Sequence, residues 1–238
     1  MSMTFNLKNF AKAELKGWKK LEIIALSLVF TFILVNAYIV KDNIIAVISA
    51  ICGITYSTMA GKGKVSCFLF GLTGTFCYSY LSFKNALFGN LLLYAGYYFP
   101  MQLTGLISWS KNLQKDTQEI VKTKLTNKKR IKYFILATVC CLISIYVLHL
   151  LKDKNPICDG LTTILSLFGM YFTVKRCIEQ WIIWLIVNGL SAIMWLQVVL
   201  QGEKVFSTFI MWVVYFVLAI YFLLEWNKEL NNKETPHE

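Results

Sequence analysis

Eight runs of predominantly apolar residues, separated by short charged connectors, set the terms on which this chain can fold. They are Leu21–Val40, Ile44–Ala60, Val65–Phe83, Ala86–Trp109, Tyr133–Leu151, Ile157–Val174, Ile178–Leu200 and Val205–Trp226. A bilayer span takes about 20 such residues, and lipid leaves the backbone no partners but its own, so each run is expected to be a helix. The second and sixth are the shortest, and Asp159 stands at the edge of the sixth, which makes these two the weakest spans. Composition agrees: 57% of the residues are hydrophobic and only 16% are charged, against about 25% charged in a soluble domain. The chain reads as an all-α integral membrane protein of eight transmembrane helices.

A formal net charge of +11 would otherwise invite a nucleic-acid role. Its distribution argues for the bilayer as the partner. With the N-terminus in the cytoplasm and eight alternating spans, all but five of the 24 basic residues (Lys41, Lys84, Lys152, Lys154 and Lys204) face inward. That is the positive-inside bias; no nucleic-acid partner is needed, and both termini are expected to be cytoplasmic. Val35-Asn36-Ala37 resembles a signal-peptide cleavage site. The basic region before it is long, however, and Phe5, Phe10, Ala13 and Trp18 suit an interfacial amphipathic helix, so retention of this segment is expected.

Seven cysteines are scattered without a CxxC spacing, and two histidines lie far apart. They read as packing residues, not as disulfides or a metal site. The one long hydrophilic connector, Lys111–Lys132, contains no Gly or Pro and reads as a solvated cytoplasmic helix or linker. On either side of it the halves echo each other: a short span, a brief basic connector, a middle span and a long aromatic span, with Trp226 falling on Trp109. Four spans separate equivalent helices, so the halves share one orientation. The expected organisation is an N-terminal amphipathic segment and extra helix (1–42), a first three-helix repeat (43–110), a connector with a linker helix (111–156), a second repeat (157–227) and a tail (228–238). Transporters built from such repeats bind substrate near the midplane, at the repeat interface.

The chemistry sits in two stretches. In QWIIWLIVNGLSAIMW (180–195), Trp181, Trp184, Asn188, Ser191 and Trp195 fall within about 80° of one helix face. An unsatisfied amide in hydrocarbon is costly, so that face should meet protein or a wet cavity. In GNLLLYAGYYFPMQLTGLISW (89–109), Asn90, Tyr94, Tyr98 and Gln102 recur at four-residue spacing, and Pro100, lacking an amide proton, should free a carbonyl near residue 96. Trp212 and Tyr215 lie near the middle of the last span. Interfacial belts also use Tyr and Trp, which suits Trp109, Trp181 and Trp226 near span ends, and Asn and Gln also bind helices together. Mid-span Trp184, Asn188, Tyr98 and Gln102 fit a pocket better.

No Asp, Glu, Lys or Arg occupies the central two thirds of any span; Glu22, Asp159, Glu179 and Glu225 all stand at ends. Charge-coupled transport and retinal-type chemistry normally need such a group, and neither a phosphate-cradling Gly loop nor a carboxylate pair is present. The chain is therefore expected to be neither an enzyme nor cofactor-dependent. Trp faces with Asn and Gln amides suit a flat aromatic ring bearing hydroxyls, including a delocalised cation held by cation–π attraction.

Trp181 and Trp184 with Asn188 four residues later, and Pro100-x-Gln102 before Trp109, resemble the two motif regions of the PnuC family of bacterial nicotinamide riboside transporters. The likeness runs from about Asn43 to Trp226. It implies a fold similar to the SWEET sugar transporters, a location in the cytoplasmic membrane, and uptake of nicotinamide riboside as an NAD precursor. It further implies facilitated diffusion with trapping by phosphorylation, and a homo-oligomer, with a trimer among the options. Similar scaffolds carry thiamine, riboflavin or deoxynucleosides, and a SWEET-like sugar facilitator is a further alternative. A membrane enzyme lacks intramembrane acids and bases here, and a receptor lacks an output domain.

Overall fold

The computed structural model describes residues 14, 16–41, 43–84, 91–114, 119–152, 155–201 and 206–234. Each apolar run there satisfies its backbone internally as a helix. In chain order these are α1 (Lys20–Val40), α2 (Ile44–Gly61), α3 (Cys67–Lys84), α4 (Phe99–Ser110), α5 (Asn127–Leu150), α6 (Pro156–Val174), α7 (Glu179–Leu200) and α8 (Phe206–Glu234), with a π-helical stretch over Leu92–Tyr98 leading into α4. Among the described residues there are no strands, only isolated bridges.

Six of the eight (α1, α2 and α5 to α8) are long and apolar enough to cross a membrane. The second and sixth runs, expected to be the weakest, are thus both among the six. Thr73, Thr75, Tyr78 and Ser79 dilute the hydrophobicity of α3, and the fourth run divides at Tyr98 between π and α geometry. Across that division Phe99 N–H reaches the Tyr94 carbonyl, five residues back. The proline expected to break the helix instead sits just after a widened turn, where its missing N–H costs the ladder little.

The connector also departs from the expected solvated helix. Its described residues between 113 and 126 form no helix, α5 beginning only at Asn127, and Ile120 is fully buried. Ile120 N–H donates to the Gly63 carbonyl at 3.1 Å, Thr123 N–H to the Arg176 carbonyl at 2.9 Å, and Ile178 N–H back to Thr123 O at 2.9 Å. A strap thus satisfies the turns that follow α2 and α6. Those turns match bond for bond: Gly63 N–H to Ala60 O and Lys64 N–H to Met59 O in the first, Arg176 N–H to Thr173 O and Cys177 N–H to Phe172 O in the second. Both turns need a left-handed residue, met by Gly63 (φ 69°) and by Arg176 (φ 60°).

Packing follows chain order within each half, α2 on α3 and α3 on α4, then α6 on α7 and α7 on α8. The halves meet where α2 lies on α8 and α4 on α6; α5 packs on α6, and α1 leans on α2 and α8. Two tryptophans lock these seams. Trp109 donates its indole N–H to Thr173 O at the end of α6 (2.9 Å), and Trp226 donates to Gly61 O at the end of α2 (2.6 Å). Each also takes an aromatic edge-on, Phe68 against Trp109 at 5.0 Å and Trp181 against Trp226 at 5.7 Å. With Ile120, Met170, Ile178 and Phe222 these side chains form the main buried core, at the basic end of the bundle.

Outside that core, Lys62–Glu22, Lys64–Glu119, Lys19–Glu225, Lys122–Glu229 and Arg130–Glu179 ion pairs tie the turns, the strap and α8 together. Of the expected N-terminal amphipathic segment, residues 1–13 lie outside the described residues. Trp18 is described, and its ring takes Lys62 Nζ at 5.1 Å from the centroid.

Candidate substrate site

Above the aromatic core, toward the other end of the bundle, lies a cavity of about 390 Å³. Side chains of α1–α4, the π-helical stretch and α6–α8 line it; among the described residues α5 contributes none. Helical spacing on α7 carries Trp181, Trp184, Val187, Asn188, Ser191 and Trp195 to its wall. From the facing half come Tyr94, Tyr98 and Gln102, and α8 adds Trp212 and Tyr215. The structure therefore brings together eight of the nine expected residues; Asn90 lies outside the described ones.

Their settings differ. Trp184 donates its indole N–H to Thr173 Oγ1 at 3.2 Å, and that hydroxyl donates to the Gly169 carbonyl at 2.9 Å. The ring rests over Gly169, where an added Cβ would meet it at 3.0 Å. Edge and one face are thus fixed by α6. Trp181 is 3% exposed and sits deeper, tilted against Phe222 at 5.3 Å, and its N–H has no hydrogen-bond partner among the described residues. It joins the aromatic core to the cavity floor, an anchor within the protein and not a belt residue in lipid.

Asn188 is buried on the cavity wall, and among the described residues its amide makes no side-chain hydrogen bond. Gln102 is also buried. Its Nε2 donates to Thr75 Oγ1 at 2.8 Å, which points Oε1, an acceptor with no partner among the described residues, past Gly71. Buried polar atoms are rarely left unpaired, so these groups are chemically ready for a ligand. Tyr78 stacks on Tyr94 at 4.2 Å, and Tyr94 meets Tyr98 edge-on at 4.9 Å, an aromatic wall opened by the π turn. On α8, Trp212 and Tyr215 form a second edge-on pair at 5.7 Å.

Sequence reasoning missed one wall. Asp159, Thr162, Thr163, Ser166, Met170 and Thr173 line the cavity along one face of α6. The signal was available as a polar row at three- and four-residue spacing. The expectation for the sixth run rests on its length and on Asp159 at its edge, not on this row. Tyr56, Tyr78, Thr75 and Gln180 were missed too; lone Tyr and Thr residues carry no periodic signature. No Lys or Arg lines the cavity among the described residues.

This geometry, flat aromatic surfaces beside unpaired amides, can be set against known proteins. The model of the nicotinamide mononucleotide transporter family matches residues 43–228. The chain belongs to that family.

Among its relatives, the nicotinamide riboside transporter PnuC of Neisseria mucosa is 29% identical over 218 residues, 89% of this chain and 82% of that protein. The protein of the same name from Haemophilus influenzae is 29% identical over 217 residues, 89% of this chain and 92% of its own. The crystal structure of the vitamin B3 transporter PnuC superposes with a TM-score of 0.82 at 28% identity, covering 95% of this chain and 99% of the other. The all-helical fold of this chain is thus shared with that transporter structure.

Proposed function

We propose that this family member carries nicotinamide riboside across the bacterial cytoplasmic membrane, and that the cavity between the two helix triplets is its binding site. One observation carries the reading: a cavity of about 390 Å³ that combines the Trp184 ring with the buried amides of Asn188 and Gln102 and, among the described residues, is lined by no Lys or Arg. The volume falls in the range of small-ligand sites, about 300–1,000 Å³. A pyridinium is a flat delocalised cation, attracted to aromatic faces without a counter-ion. Its carboxamide offers a donor to Gln102 Oε1 and complementary groups to Asn188, while the hydroxyl-bearing face of α6 suits the ribose. A phosphorylated nucleotide would ask for cationic partners. The lining offers none, which favours the nucleoside over the mononucleotide in the family's name.

In this account α2–α4 and α6–α8 are two copies of one triplet in the same orientation, with α5 as the linker and α1 as an addition. The matched turns after α2 and α6, and the reciprocal Trp109 and Trp226 bonds, support that relation. The basic ends of the helices then face the cytoplasm. With no charged side chain in the middle of a span, transport is facilitated diffusion, drawn inward by phosphorylation of the arriving nucleoside.

Titration of the purified protein with nicotinamide riboside, in parallel with thiamine, riboflavin, a hexose and the mononucleotide, tests the reading. Saturable binding of the riboside alone is expected. Tighter binding of any other member of that set would replace it.

A further inference from the structure

The two matched turns differ in how their cations are met. After α2, Lys62 pairs with Glu22 at 2.7 Å and Lys64 with Glu119 at 3.1 Å. After α6 the corresponding residues are Lys175, Arg176 and Cys177. Lys175 Nζ lies over the Tyr171 ring, 5.9 Å from its centroid, and among the described residues neither it nor Arg176 forms an ion pair. Arg176 Nε and Nη1 are buried and have no hydrogen-bond partner among the described residues. The nearest acid in sequence, Glu179, is already engaged by Arg130 and the Leu125 N–H. Burial pulls the Arg176 guanidinium below its ordinary pKa, and no carboxylate is among the groups acting on it. A charge withdrawn from water without a partner is costly, and buried donors are rarely left unpaired.

We propose that the turn after α6 binds the phosphate of an anionic phospholipid, with Arg176 as the principal donor and Lys175 as a second cation. A guanidinium presents its donors in a planar fork that matches phosphate oxygens. What lies beside the turn favours a lipid over free phosphate. Tyr133 on α5 and Tyr171 on α6 join hydroxyls at 3.2 Å, the placement of tyrosine at a membrane–water interface. From there the apolar face of α5 continues exposed through Phe134, Ile135 and Leu142, so acyl chains have a surface to lie on below the headgroup. Basic pockets between membrane helices bind such headgroups. Arg176 N–H also donates to the Thr173 carbonyl at 2.9 Å, so an occupied turn would buttress the residue that holds Trp184. The proposal needs the basic end of the bundle to lie at a membrane surface; it does not depend on the identity of the substrate.

Native mass spectrometry of the full chain in a neutral detergent reads the site, with phosphatidylglycerol and phosphatidylcholine of the same acyl chains as titrants. Glycerol 3-phosphate supplies the phosphate without the chains. The wild type should hold phosphatidylglycerol about tenfold more tightly than phosphatidylcholine, the scale of one charge-assisted contact. Arg176→Gln should remove most of that preference. Lys228→Gln, the same change of charge on an exposed residue of α8 at the basic end, should keep it. Arg176→Lys, which retains the charge and loses the fork, should lose part of it. Equal retention of the two lipids by the wild type would overturn the proposal. So would equal losses in Arg176→Gln and Lys228→Gln, the mark of diffuse surface charge. Displacement of phosphatidylglycerol by an equal concentration of glycerol 3-phosphate would overturn the lipid as occupant. Should Gln not be tolerated, an unchanged preference in Arg176→Lys refutes the guanidinium as principal donor, and the wild-type comparison stands as before.

Discussion

Trp184 donates its indole N–H to Thr173 Oγ1, 3.2 Å away on the neighbouring helix, and so ties the first half of α7 to the end of α6. A stacking surface pinned by its edge loses little freedom when a ring settles on it. Thr173→Val keeps the shape and deletes the acceptor. Affinity for nicotinamide riboside should fall about three- to tenfold, the equivalent of about 1 kcal/mol, and Thr173→Ser should restore it. Trp184→Ala removes the surface itself and should cost about 1–2 kcal/mol, roughly 5- to 30-fold. Calorimetric titration of the three variants checks both numbers.

Gly71 faces Gln102 across α3 and α4. A methyl group there would approach Gln102 Oε1 and Tyr56 Cδ2 to 2.7 Å, closer than van der Waals contact allows. Gly71→Ala should therefore push the Gln102 amide off Thr75 and weaken riboside binding at least tenfold. Overpacking adds about 1–3 kcal/mol of destabilisation. Binding and thermal unfolding measured on one preparation separate the two effects.

The reciprocal tryptophans give a matched pair of stability tests. Trp109→Phe and Trp226→Phe keep an aromatic ring but remove the donors to Thr173 O and Gly61 O. Losing one buried hydrogen bond costs about 0.5–1.5 kcal/mol, and more where the acceptor keeps no other donor; Thr173 O still accepts from Arg176 N–H at 2.9 Å. Both variants should unfold at lower temperature in detergent, Trp109→Phe by no more than Trp226→Phe.

One carboxylate clamps the end of the strap to the start of α7 and α5. Glu179 Oε1 accepts from Leu125 N–H at 3.1 Å and from Arg130 Nε and Nη2 at 2.8 and 2.7 Å. Its side chain is 10% exposed and that of Arg130 40%, so solvent screens the pair in part. Glu179→Ala should cost about 2 kcal/mol, below the cost of breaking a fully buried pair. Limited proteolysis within 111–126, faster in the variant, reports the loosened strap.

Much of this site was legible because its residues obey helical spacing. Trp181, Trp184 and Asn188 share a face in any α-helix, and the cavity lies on that face. Tyr94, Tyr98 and Gln102 kept their wall even though the ladder between them shifts to i→i+5 bonds. That shift itself was not legible, since Pro100 says only that an N–H is missing. The strap was hidden for a different reason. Its partners, Gly63 and Arg176, are distant in sequence, and a run of Lys, Thr and Gln without Gly or Pro has nothing local to mark it as other than helical. Asp159 stands at a span end in sequence, yet the first turn of α6 opens onto the cavity.

Transport energetics follow from the same lining. Coupling needs a site whose charge or ion occupancy differs between access states, and the middle of the bundle has no such group. Uptake of nicotinamide riboside into proteoliposomes containing a trapping kinase and ATP, at zero potential, should not change with an imposed proton or sodium gradient. A membrane potential should still bias it, by about 2.3 kcal/mol per charge per 100 mV. A severalfold rise with either ion gradient at zero potential would contradict facilitated diffusion.

The most direct test of the central claim is an experimentally determined structure of the protein with nicotinamide riboside bound. The pyridinium should lie within about 4 Å of the Trp184 ring, its carboxamide within hydrogen-bond reach of Asn188 and Gln102. Ligand density in the charged cleft between Lys62, Lys122 and Glu229 at the basic end, with the central cavity empty, would contradict it.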